Sequence, residues 1–278
     1  MVSFRFIYKT AITVVRIALF SLLATSCTQG RNDFQTLESM TYALEPGMPV
    51  VIRVISGQVF LSNSMDGQVM LSGEASASEP DDVLVSQQPD GLFIASETPG
   101  NIVNLNLQVP PGTLVEIHTY GADVQAQDFA GSLDVTSTAG DIRVKNMQGL
   151  AVLRANRGDV TVESSNGEYH LPGNYGLLTL TNVSGEVDAS TIMGTIRYQG
   201  RLAASDRVKL ETDHGPVEAR LDPRSDVTVV VKTTTGVTYC VIPGLSPDGA
   251  GCRGQLGNGK GLLQVRTVSG EVNLLTTP

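Results

Sequence analysis

GSLDVTSTAGDIRVKNMQGLAVLRANRGDVTVESSNGEYHLPGNYGLLTLTNVSGEVDASTIMGTIRYQG, residues 131–200, is the stretch that decides the fold. Glycines stand at 131, 140, 149, 158, 167, 176, 185 and 194, nine residues apart each time. Two places after each glycine comes Leu133, Ile142, Ala151, Val160, Tyr169, Leu178, Val187 or Ile196. Four places after it comes Val135, Val144, Leu153, Val162, Leu171, Leu180, Ala189 or Tyr198. Both positions are apolar throughout. The position between them holds Asp134, Arg143, Val152, Thr161, His170, Thr179, Asp188 and Arg197, polar in every case but Val152. Alternation at period two marks a strand with one buried face. Each unit therefore reads as a turn of about four residues marked by Gly, which takes positive φ without steric penalty, followed by a strand of about five.

Units this short cannot each close a core, so they must stack on one another. Two units make a coil of eighteen residues, and strands in successive coils run parallel along a right-handed path, the hand that strand twist favours. The expected fold is an all-β, right-handed parallel β-solenoid; an antiparallel meander with nine-residue steps is the structural rival. After Gly194 about three extra residues interrupt the repeat, as insertions in repeat arrays do. It resumes with Val208 and Leu210, nine residues before Val217 and Ala219. Gly261, Leu263 and Val265 likewise precede Gly270, Val272 and Leu274 by nine. The repeats thus span 122–278, with 240–260 expected as a loop inserted between strands. Residues 34–121 are less regular. Strand-like runs such as 50–55 and 102–109 alternate there with turn signals such as Met65-Asp66-Gly67 and Pro89-Asp90-Gly91, which predicts an N-terminal β region, an antiparallel sheet capping the solenoid.

Composition agrees with many short strands and turns: 278 residues include 29 Gly, no Trp and only 5% aromatic side chains. A net charge of -9 and a pI near 4.8 exclude nucleic acid as partner, because phosphate affinity rests on clustered Lys and Arg.

The N-terminus has a character of its own. Arg5, Lys9 and Arg16 precede the apolar run 17–24, which ends in Thr25-Ser26-Cys27, the layout of a secretory signal. The uncharged stretch 17–26 is about half the length that a membrane-spanning helix requires. Leu23-Ala24-Thr25-Ser26-Cys27 resembles the lipobox of bacterial lipoproteins, with Ala24 where that pattern prefers Leu. The resemblance implies a signal peptide over 1–26, lipid on Cys27, a polar tether over 27–33, and membrane attachment through the acyl chains. Thr28 in place of Asp after that Cys implies the outer membrane or cell surface of an exported, envelope-anchored protein. Cys240 and Cys252 then remain as a pair, and an oxidising compartment favours a disulfide between them. No third Cys or nearby His completes a zinc site around them.

The segment NLNLQVPPGTLVEIHTYGADVQA, residues 104–126, is followed by Gly140-Asp141-Ile142-Arg143-Val144 and Gly158-Asp159-Val160-Thr161-Val162. This order resembles a widespread family of bacterial envelope proteins, a domain of unknown function with adhesin-like β-strand repeats related to the GIN-type adhesin-like domains. The likeness covers about residues 49–275. It implies a β-solenoid at the cell envelope and carries over no catalytic residue.

Parallel solenoids also host enzymes that cut polysaccharides, a chemistry that needs two facing carboxylates. Asp141 and Asp159, and likewise Glu168 and Glu186, are eighteen residues apart and are expected on neighbouring coils. All four follow a Gly at a turn, where solvated Asp and Glu are ordinary. The Gly-Gly-x-Gly-x-Asp pattern of calcium rolls is absent from the sequence, and His118, His170 and His214 show no metal or triad spacing. The expectation is a non-enzymatic binding or scaffold module needing no cofactor or metal. It offers the outward column Arg143, Thr161, Thr179 and Arg197 to an envelope glycan or protein; a carbohydrate-active enzyme using the stacked acids is the alternative.

Overall fold

A computed structural model of the chain describes residues 34–76 and 83–277. The predicted signal, Cys27 and the tether lie outside the described residues. In chain order the strands are β1 (Gln35–Tyr42), β2 (Val50–Val54), β3 (Gly57–Asn63), β4 (Val69–Ala75), β5 (Leu84–Gln88), β6 (Gly91–Ser96), β7 (Val103–Val109) and β8 (Leu114–Thr119). Then come β9 (Asp123–Gln127), β10 (Ala130–Ser137), β11 (Ile142–Lys145), β12 (Gln148–Ala155), β13 (Val160–Glu163), β14 (Asn166–Gly173), β15 (Leu177–Thr181), β16 (Ser184–Thr191) and β17 (Thr195–Gly200). The last are β18 (Arg207–Thr212), β19 (Val217–Leu221), β20 (Val227–Thr233), β21 (Thr238–Cys240), β22 (Leu245–Asp248), β23 (Gly251–Leu256), β24 (Gly261–Thr267) and β25 (Val272–Thr276). Among the described residues no helix is long and apolar enough to cross a membrane.

The strands form two sheets. One is ordered β1-β4-β7-β3-β9-β11-β13-β15-β17-β19-β25-β21, the other β22-β23-β20-β24-β18-β16-β14-β12-β10-β8-β2-β6-β5. The nine-residue step alternates between the sheets, so each eighteen-residue coil gives one strand to each. Ile142 lies beside Val160 and Val160 beside Leu178 in the first sheet; Leu133 lies beside Ala151 and Ala151 beside Tyr169 in the second. The chain is an all-β solenoid of mostly parallel strands, and its two sheets remain open rather than closing a barrel.

The inward columns are the core. Ile142, Val144, Val160, Val162, Leu178, Leu180 and Ile196 are buried to within 1%, as are Leu133, Leu153 and Val187 from the facing sheet. Two inward tyrosines keep their polar ends satisfied: the Tyr169 hydroxyl donates to the Met147 carbonyl at 3.0 Å and the Tyr198 hydroxyl to that of Val183 at 3.1 Å. Burial pushes the Tyr169 phenol up to about 12, and the Tyr198 phenol is raised by burial and by the nearby Asp206 carboxylate. At the corner leading into the first sheet, a buried hydroxyl three residues ahead caps the turn. Thr119 accepts from the Ala122 N–H at 2.7 Å, and Ser137 accepts from the Gly140 N–H at 2.9 Å.

The glycines have a second reason beyond turn conformation. Gly131, Gly149, Gly167 and Gly185 lie inside strands of the second sheet, whereas Gly140, Gly158, Gly176 and Gly194 sit just ahead of strands in the first. A Cβ on Gly158 would collide with the carbonyl oxygen of Gly140, and one on Gly194 with that of Gly176. Neither Gly158 nor Gly194 has positive φ. Coil-to-coil approach of backbone on backbone, rather than a left-handed turn, requires glycine there.

The two ends of the solenoid differ from the sequence expectation. Residues 34–121 do not form a separate antiparallel sheet: β2 pairs in parallel with β8 and β6, and β3 in parallel with β9 and β7. Antiparallel pairing in this region is confined to β1 with β4, β4 with β7 and β5 with β6. The coil made by β2 and β3 is wedged between the coil of β6 and β7 and that of β8 and β9. A matching interleaving occurs at the far end, where β24 lies between β18 and β20, and β25 between β19 and β21. Residues 240–260 are not a plain loop. Strands β22 and β23 form an antiparallel pair that extends the second sheet beyond β20, while the Cys240–Cys252 disulfide joins β21 of the first sheet to β23 of the second.

Candidate functional site

The outward face of the first sheet carries the polar column anticipated from the repeat. Register sets Arg143 beside Thr161, Thr161 beside Thr179 and Thr179 beside Arg197, so four side chains line up across β11, β13, β15 and β17. Strand pairing spaces them about 4.8 Å apart. Gln125 continues the column on one side and Glu218 on the other. Two residues further along each strand runs a second outward row, Lys145, Glu163, Thr181 and Gln199. The sequence shows it only as the polar residue after each apolar pair. Between the rows lies a depression of about 170 Å³ lined by Gln125, Gln127, Arg143, Lys145, Thr161 and Glu163.

The two arginines of the column are held differently. Arg143 reaches sideways to the turn acids, at 2.7 Å from Asp141 and 3.8 Å from Asp123. Arg197 forms no ion pair among the described residues, leaving its guanidinium available to a ligand. A free planar guanidinium donates to paired oxygens in fixed geometry, the property that makes Arg a common contact for carboxylate and phosphate.

Asp141 and Asp159 have a structural occupation. Asp123 accepts the Asp141 N–H at 2.9 Å, Asp141 the Asp159 N–H at 3.0 Å and Asp159 the Leu177 N–H at 2.8 Å. Each carboxylate thus closes a hydrogen bond to the next coil, just ahead of β11 and β13 and at the first residue of β15. Glu168 and Glu186 are neighbours in register, and Glu168 lies 2.8 Å from His170 on the solvent face. His214 bonds Ser269 at 2.7 Å, and His118 is exposed on β8. Among the described residues no three His, Cys, Asp or Glu side chains gather as a metal site.

At the opposite corner a second ladder runs through Asp128, Asn146, Ser164 and Asn182, all with φ near +50°. Asn and Asp are the side chains that best tolerate that conformation. Asn146 donates to Asp128 at 2.9 Å, and hydrogen bonds from Asn146 and Gln127 hold the Asp128 carboxyl below the usual range. Asp128, Asn146 and Ser164 rim a shallow hollow of about 540 Å³. The eighteen-residue recurrence of Asp, Asn, Ser and Asn was visible in the sequence but is masked there by the stronger glycine signal.

The profile of a family described as Toastrack DUF4097 matches residues 99–275. No curated protein matches the chain. Among solved structures, a proposed adhesin from Bacteroides fragilis superposes with a TM-score of 0.52 at 12% identity, covering 87% of this chain and 97% of that one. A proposed lipid-binding protein from Parabacteroides distasonis gives 0.46 at 9% identity, with 87% and 96% covered. The B. fragilis likeness shows the fold alone. The matched span begins ahead of β7, yet β3, outside it, is wedged between β7 and β9, which it includes, and β2, also outside it, pairs with β8, which it includes.

Proposed function

The chain belongs to the Toastrack DUF4097 family, and from that premise we propose that it is a non-enzymatic binding module of the bacterial cell envelope, held there by lipid on Cys27. One observation carries the reading: Arg143, Thr161, Thr179 and Arg197 stand in a single outward row on a broad sheet face. The Asp141 and Asp159 carboxylates beside that row are engaged in backbone hydrogen bonds. A rigid row of donors and hydroxyls at fixed spacing suits recognition of an extended envelope glycan or protein surface rather than bond cleavage. The adhesin-like name of the B. fragilis structure points the same way.

The test is a pull-down with the full-length chain against envelope material from its own source cell, reading bound glycans and proteins together. Saturable capture, weakened at least several-fold by Arg143→Ala with Arg197→Ala, supports the reading. Capture indifferent to both substitutions overturns the role of this face. The anchor is tested separately by metabolic labelling with an alkyne fatty acid, which a Cys27→Ser variant should fail to incorporate; labelling that persists would rule Cys27 out as the lipid site.

A further inference from the structure

We propose that the depression at the corner between β8 and β9 is a carbohydrate subsite that seats one neutral or N-acetylated pyranose ring against Tyr120. The proposal rests on the binding-module reading but places the contact on a different face from the arginine and threonine column. The depression has a volume of about 390 Å³ and is lined by Arg53, Glu97, His118, Tyr120, Thr136 and Thr138. That size lies at the lower end of small-molecule sites, which run from about 300 to 1,000 Å³, and it suits one or two sugar rings.

Interleaving of the coils assembles the site. Arg53 of β2 and His118 of β8 are register partners, and Thr136 of β10 is the partner of His118 on its other side. All three side chains are exposed, so a guanidinium, an imidazole and a hydroxyl stand in a row at strand spacing, about 4.8 Å apart. Tyr120 leaves the corner at the end of β8 and is 63% exposed, in a chain that has only 7 Tyr, 7 Phe and no Trp. Glu97 enters from the segment after β6. Among the described residues none of Arg53, Glu97, His118 and Tyr120 makes a side-chain hydrogen bond or ion pair, although the first two have opposite charge and share one hollow.

Those groups select a ligand class. A purely anionic ligand would bring its charge against Glu97, and a purely cationic one against Arg53. A neutral polyol satisfies both: its hydroxyls donate to the carboxylate and accept from the guanidinium, imidazole and threonine hydroxyls. The exposed tyrosine ring supplies the apolar surface on which the C–H face of a pyranose rests, and its phenol remains available as a donor.

The experiment probes an array of neutral, N-acetylated and uronic-acid oligosaccharides with the fluorescently labelled full-length chain, followed by titration of the strongest binder. Binding to a neutral or N-acetylated glycan is expected, weakened on the order of tenfold or more by each of Tyr120→Ala, Arg53→Ala and Glu97→Gln, all exposed positions whose folding is checked by thermal melting. Tyr175→Ala, a half-exposed tyrosine elsewhere on the surface, should leave binding unchanged. An array that stays blank, or binding confined to uronates, overturns the subsite. Binding that is lost with Arg143→Ala and Arg197→Ala but not with Tyr120→Ala also overturns it, while leaving the binding-module reading in place.

Discussion

Val208 and Leu263 are side-by-side partners in neighbouring parallel strands, although β19 through β23 separate them along the chain. On its other side Leu263 meets Val229. The final coil therefore fills a slot between two coils made before it. The chain must hold that slot open, or close it late.

Removal of residues 261–278 leaves β18 and β20 without a shared neighbour. In native-state hydrogen exchange on the truncated chain, amides of β20 and β23 should exchange on the order of a hundredfold faster or more, while those of β10, β12 and β14 keep their protection. Unchanged protection in β20 would mean that the outer coil stands without its wedge.

Gly158→Ala brings a methyl group against the Gly140 carbonyl. Overpacking of this kind costs about 1–3 kcal/mol, read as a shift in the urea midpoint at constant slope. Gly121→Ala is the control, since a Cβ there meets only the Ile55 carbonyl oxygen, at 3.6 Å. Equal destabilisation by both variants would show that backbone freedom rather than coil stacking sets the requirement.

Asp159→Ala removes the acceptor of the Leu177 N–H and should lower stability by about 1 kcal/mol, whereas Asp159→Asn, which keeps an oxygen in place, should lower it by less. An Asn variant as unstable as the Ala variant would assign the effect to charge instead of to the ladder.

Reduction of the Cys240–Cys252 bond releases β21 from β23. Loss of a disulfide closing a short loop is worth about 2–4 kcal/mol, so thermal melting with and without reductant should separate clearly. A Cys240→Ser, Cys252→Ser double variant should match the reduced protein and ignore the reductant; a reductant effect that survives in it would place the sensitivity elsewhere.

Alkaline pH should destabilise the fold through its inward tyrosines. Unfolded, a tyrosine ionises near pH 10; folded, Tyr169 is pushed up to about 12 and Tyr198 is raised as well. Because both folded values lie above the unfolded one, the stabilisation is complete below about pH 10 and is lost as pH rises through the folded values. Urea midpoints that fall above about pH 10, and fall less steeply in Tyr169→Phe with Tyr198→Phe, would agree. A slope identical in that variant would point to other groups.

The candidate surface was legible in part. Arg143, Thr161, Thr179 and Arg197 share one row because the eighteen-residue register is strict between β11 and β17, and a strict repeat converts sequence spacing directly into lateral spacing. The Tyr120 hollow was not legible. It draws Arg53 from β2 and Glu97 from the segment after β6, and no local periodicity records that β2 neighbours β8.

The sequence alone determined the inward and outward faces and the eighteen-residue coil, because these follow from local alternation and from the steric limits of stacked backbone. The expected strand length of about five residues holds for β11, β13 and β15, whereas β10, β12, β14 and β16 run to eight. Tertiary structure decided the order of the coils at both ends. Where the repeat is irregular, several strands offer similar apolar faces, and which one fills a given slot is set by the whole molecule's packing and hydrogen bonding. That choice placed β2 between β6 and β8 and β24 between β18 and β20, and with the first of these it assembled the Tyr120 hollow.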